Sequence, residues 1–147
     1  MKKIILLVLL LPVFTFQITN GANFGRLFVG LTCDKSIYNS NDTIGMALTV
    51  LNLNNKSLKV TFNSAKTYDF YLYKGEQALW KWSADKMFTM AISNLTLEPK
   101  KPQTYVVLCN VKLPSGEYLE PGRYKLIGAF CTKEKEYLSE PAEIEIR

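Results

Sequence analysis

Apolar and polar residues alternate along most of this chain with a period of two, and no stretch sustains a helical period. Leu27, Val29, Leu31 and Cys33 alternate with Phe28, Gly30 and Thr32. Ile44, Met46, Leu48 and Val50 alternate with Thr43, Gly45, Ala47 and Thr49, and Leu58, Val60 and Phe62 with Lys59, Thr61 and Asn63. Such alternation predicts half-buried strands. Residues 34–42, rich in Asn, Ser and Asp, read as a loop anchored by Ile37 and Tyr38, and Asn54-Asn55 as a turn. The densest aromatic stretch runs from Thr67 to Thr89 and holds both tryptophans. Tyr68, Phe70 and Leu72 face one way and Asp69, Tyr71 and Tyr73 the other; Lys74-Gly75-Glu76 breaks the pattern, and Ala78, Trp80 and Trp82 resume it. The reading is a hairpin that carries its aromatics to one end.

Beyond the hairpin, 91–96 is weakly patterned and Leu97 to Pro102 reads as a loop because of its prolines. Strands are expected over 104–111, 126–130 and 142–146. Pro121-Gly122-Arg123-Tyr124 places a tyrosine just inside a strand after a tight turn. This is the sign of a tyrosine corner, whose ring packs inward while its hydroxyl bonds upstream backbone. Together these features predict an all-β, antiparallel immunoglobulin-like β-sandwich of 7–9 strands, with a closed barrel as the other architecture the pattern allows.

The first residues follow a different rule. Met1-Lys2-Lys3 is basic, Ile4 to Phe16 is almost wholly apolar, and Gln17 to Ala22 turns polar and small. That is the layout of a signal peptide, with cleavage expected after Gly21 or Ala22. Residues 1–22 are therefore expected to be a leader and 23–147 a single domain, large enough to bury a core. The expected location is secreted or extracytoplasmic, in the periplasm or cell envelope.

Charge and chemistry narrow the function. Net charge is +5, and after the leader the lysines are scattered, with only Lys100-Lys101 adjacent. Nucleic-acid binding, which wants basic residues gathered on one element, is not expected. The chain has no histidine, which excludes a Ser-His-Asp triad, a Cys-His pair and any histidine metal site. The glycines are dispersed, so no phosphate cradle is indicated. Glu143 and Glu145 share a face but fit an exposed strand equally well. No cofactor, no metal and no catalysis are expected. Cys33, Cys109 and Cys131 are an odd set in apolar, strand-like surroundings, where unpaired cysteine packs as a small hydrophobe; should one disulfide form instead, Cys33 with Cys109 is the first choice, both ending strands of one sheet.

Several of these residues resemble a known family. Tyr68-Asp69-Phe70, Trp80-Lys81-Trp82-Ser83 and Lys86-Met87-Phe88, followed by Leu97, Pro99, Tyr105 and Pro121-Gly122-Arg123-Tyr124, are similar in kind and order to the intracellular proteinase inhibitor BsuPI family. The resemblance covers roughly Thr32 to Phe130. It implies a small β-sandwich that binds a serine protease, here an extracytoplasmic one if the leader exports the chain. Two departures stand out: the leader itself, and Cys109 where an aromatic is expected. A protease-contact loop is expected at Trp82, Ser83, Ala84, Asp85, Lys86 and Met87, with Ser83 to Lys86 exposed. Lys86 would suit a trypsin-like pocket and Met87 a subtilisin-like one. Tyr68, Phe70, Trp80, Phe88, Pro121, Gly122 and Tyr124 are expected to be structural. The alternative is a secreted or cell-envelope structural or adhesion module.

Overall fold

The computed structural model describes residues 17–147 apart from Gly25, without the side chains of 17–20 and Asn23. The expected leader's basic start and apolar run lie outside the described residues. The described residues form twelve strands: β1 (Gln17–Asn23), β2 (Leu27–Cys33), β3 (Ile37–Tyr38), β4 (Thr43–Asn52), β5 (Leu58–Phe62), β6 (Tyr68–Lys74), β7 (Gln77–Lys81), β8 (Ser93–Leu97), β9 (Pro102–Asn110), β10 (Gly122–Cys131), β11 (Glu136–Leu138) and β12 (Ala142–Ile146). The count exceeds the expected range because β3 and β11 are too short to show a period, β8 is too polar to alternate, and β1 falls in the stretch expected to be the end of a leader.

Two sheets face each other. One has the order β1-β2-β4-β9; the other has β3-β12-β10-β6-β7, with β11 also on β10. All pairings in these sheets are antiparallel except β3 with β12. A separate ribbon, β5-β8, packs Val60, Phe62 and Leu97 onto the same core. The period-two pattern explains the layers: Val29 and Leu31 from β2, Met46, Leu48 and Val50 from β4, and Phe70, Leu72 and Leu126 from the facing sheet are all fully buried. The sheets approach closely at Gly128, where a Cβ would stand 2.6 Å from Leu48 Cδ1. The tyrosine corner forms as expected: Tyr124 is buried, and its hydroxyl donates to the Glu120 carbonyl at 2.6 Å.

Other expectations are corrected. Of the two residues expected to anchor the 34–42 loop, only Tyr38 is buried, donating to Asp34 at 2.5 Å, while Ile37 is exposed. All three cysteines are free, as their apolar surroundings suggested, and only the conditional Cys33–Cys109 pairing is set aside. Cys33 pairs with Met46 and Cys109 with Ile44 on opposite sides of β4. A whole strand therefore separates the two thiols, about 10 Å across the sheet, beyond disulfide reach. Weakly patterned 91–96 contains most of β8, whose Ser93, Asn94 and Thr96 are exposed and hide its period. In the full-length chain Gln17 to Ala22, the expected end of the leader, pair as β1 with β2, which does not bear on whether the leader is cleaved.

Candidate functional site

The hairpin β6-β7 is out of step in length: β7 ends at Lys81, opposite Tyr71, so Asp69 has no β7 neighbour. The chain fills that space by turning. Trp82–Asp85 form a single 3-10 turn instead of a continued strand, which corrects the expected alternation through Trp82. Asp69 is the reason. Its carboxylate is fully buried and accepts the Ser83 hydroxyl at 2.5 Å, the Ser83 N–H at 3.1 Å and the Phe70 N–H at 2.9 Å. Lys66 Nζ lies 3.2 Å away and Lys81 Nζ 3.9 Å. A buried charge is tolerable only when so surrounded, and charge-assisted bonds are the strong ones. Burial lowers the proton affinity of the Lys66 ammonium, but the Asp69 bond and charge outweigh it and the net shift is upward.

Aromatic rings continue the clamp. Trp82 stacks on Tyr68 at 4.9 Å, Tyr68 on Tyr105 at 4.6 Å, and Tyr105 on Phe130 at 6.4 Å; Phe62 meets Phe130 edge-on at 5.5 Å. The column ties the 82–85 turn to both sheets and to the β5-β8 ribbon. Each such pair contributes about 0.5–1.5 kcal/mol beyond the area buried. Phe88 packs obliquely on Trp82 at 6.1 Å, and the Thr89 carbonyl accepts the Ala65 N–H at 2.9 Å.

The structure sorts the expected contact residues. Ser83 is buried and bonded inward, so it is not the exposed residue the sequence suggested. Trp82 is half-buried in the column. Ala84, Asp85 and Lys86 are exposed, and Met87 is 100% exposed. The exposed run continues past Phe88 to Met90 and Ile92, which the sequence reading missed. Three apolar side chains at 87, 90 and 92 in a polar stretch were the available signal. Of the expected structural residues, Phe70 and Tyr124 are fully or nearly buried, Tyr68, Trp80 and Phe88 are half-buried, and Gly122 takes φ +152.

Electrostatics separate the two candidate anchors. Lys86 Nζ donates to the Trp82 carbonyl at 3.0 Å and to Asp85 at 2.9 Å, and lies 4.6 Å from the Trp82 ring centre. The Lys86 bond and charge hold the Asp85 carboxyl below its ordinary range. Lys86 is therefore folded back onto the turn, while Met87 points freely outward. Burial raises the Cys109 thiol, with Lys86 opposing, which keeps it neutral and unreactive at physiological pH. Among the described residues, no group of three His, Cys, Asp or Glu gathers to hold a metal.

The profile of the intracellular proteinase inhibitor BsuPI matches residues 31–135, which include the hairpin, the turn and the exposed run. The chain belongs to this family. No curated protein matches it in sequence. Among solved structures, BsuPI-family membership is accompanied by likeness to Spo0M, a sporulation control protein from Bacillus subtilis: 10% identity, 84% of this chain, 50% of that one, TM-score 0.51. The β-glucosidase EmGH1 from Erythrobacter marinus matches at 12% identity over 90% of this chain and 16% of its own, TM-score 0.47. This BsuPI chain thus spans half of Spo0M and about a sixth of the glucosidase. At these identities the Spo0M likeness speaks for the sandwich alone.

Proposed function

We propose that this BsuPI-family chain is an exported, non-catalytic binding domain that engages an extracytoplasmic serine protease through the run 84–92. The observation that carries the reading is Met87: wholly exposed, two residues beyond a turn held by a buried carboxylate, and followed by the Phe88 and Thr89 tethers. A contact loop restrained before binding loses less entropy on association. Met87 suits a subtilisin-like primary pocket, whereas Lys86 would have to leave three partners to enter a trypsin-like one. Export rests on the basic start and apolar run of the leader. Cleavage after Gly21 or Ala22 would remove most of β1 and leave β2 at the sheet border.

The test is to titrate the purified domain against subtilisin and trypsin. Inhibition of subtilisin is expected, with Met87→Ala weakening it about tenfold or more and Lys86→Ala nearly neutral. Unchanged protease activity at micromolar domain removes the reading; unchanged potency of Met87→Ala moves the contact elsewhere. A second reading, an envelope structural or adhesion module, draws on the exposed Val106 and Leu108 of edge strand β9, which offer an apolar surface independent of the loop.

A further inference from the structure

A cleft of about 660 Å³ opens on the side of β5 away from β8, bounded by Arg26, Lys59, Thr61, Lys133, Glu134 and Tyr137. It is separate from the run 84–92, which feeds the β8 side of the ribbon. Two observations give it a chemical character. The first is backbone. In an antiparallel pair, successive residues alternately bond across the pair and turn their N–H and C=O outward. The Thr61 carbonyl accepts the Lys133 N–H at 2.7 Å, so Thr61 and, two residues back, Lys59 face away from β8. The Lys59 N–H and C=O then have no backbone partner among the described residues, whereas the Lys133 backbone already covers the edge at Thr61. This is an open strand edge.

The second is charge. Arg26, Lys59 and Lys133 line the cleft against one carboxylate, Glu134, and none of the four is in an ion pair among the described residues. Lys135 adds a fourth cation at the rim, 4.7 Å from the Tyr137 ring and 5.5 Å from the Phe24 ring, which itself packs edge-on to Tyr137 at 5.2 Å. The excess positive charge is thus set beside the unpaired Lys59 backbone groups and an aromatic wall.

We propose that the β5 edge is a docking site for an extended acidic peptide segment of a partner protein, which pairs with the outward N–H and C=O of Lys59 and places its carboxylates among Arg26, Lys59 and Lys133. Strand addition supplies main-chain bonds and the flanking cations supply sign and register. The occupant is a peptide rather than a small anion because the unpaired groups are a strand's own ladder positions.

The experiment uses the full chain and two end-blocked, fluorescently labelled pentapeptides, one alternating Glu with Val and one alternating Lys with Val. The Glu peptide is expected to bind in the micromolar range, at least about tenfold tighter than the Lys peptide, and more weakly as salt rises. The pair Lys59→Glu with Lys133→Glu should cost about tenfold or more. Lys59→Pro, which deletes the outward N–H and leaves the β8 ladder intact, should also weaken binding while the variant still melts cooperatively. Met87→Ala should leave peptide binding unchanged, so this proposal and the protease reading fail separately. Equal binding of the two peptides, indifference to the charge reversal, or equally effective competition by inorganic phosphate would overturn it.

Discussion

The turn Trp82–Asp85 and the run that follows it, 86–92, are neighbours in sequence and opposites in physics. The turn is short and held from several sides: Ser83 by Asp69, Trp82 by Tyr68, and Asp69 in turn by Lys66. The run has no strand pairing and carries Met87, Met90 and Ile92 in solvent. Between them the tethers described are Lys86 folded back onto Trp82, Ser83 and Asp85, Phe88 on Trp82, and the Thr89 carbonyl. The difference teaches that hold and display are assigned to different residues. Stability should respond to the turn's partners and recognition to the run's tips.

The comparison breaks first at Asp69. Asp69→Ala strands Ser83 and Lys66 beside an uncompensated site, and a loss of about 3 kcal/mol in urea denaturation is expected, with potency falling as the turn loosens. Trp82→Ala comes next. The ring is half-buried and joins Tyr68, Phe70 and Phe88, so about 2 kcal/mol is expected, below the range for a wholly buried tryptophan. A loss near zero in either case would mean that the turn is held by something other than these contacts.

Alkaline pH offers a finer probe of the clamped side. Burial first and Glu136 second push the Cys131 thiol from its ordinary 9.0 up to about 12. The unfolded chain therefore loses that proton earlier than the folded one. Stability is complete below pH 9 and declines as pH rises from 9 towards 12. Lys66, raised in the fold, acts in the same direction. A loss of about 1 kcal/mol at pH 10 is expected for Cys131, and Cys131→Ala should flatten that part of the melting profile. The smallest effect belongs to the display side: Met90→Ser with Ile92→Ser should move stability by less than about 0.5 kcal/mol.

Much of the sandwich was legible because large apolar residues alternate with small or polar ones along its strands, even in β4, where both faces are largely buried. β2, β4, β5, β6 and β12 were readable residue by residue, and Pro121 to Tyr124 announced its corner. β8 was not, because Ser93, Asn94 and Thr96 leave it nothing to alternate. The site was legible in outline only. The region around Trp82 stood out, but Trp82 continued the period of Ala78 and Trp80 and looked like strand. The turn arises from a contact fourteen residues away in sequence, Asp69 with Ser83. Asp69 itself sat in the pattern as a solvent-facing position. A carboxylate between Tyr68 and Phe70 looks wet until its three-dimensional partners are known.

Because the carboxylate that fastens the turn sits on β6, the residues that meet solvent from Ala84 to Ile92 are nearly released from the duty of keeping the molecule folded. Drift can rewrite them at little cost to the scaffold. A lineage built this way can acquire new targets one surface substitution at a time, without passing through an unfolded ancestor.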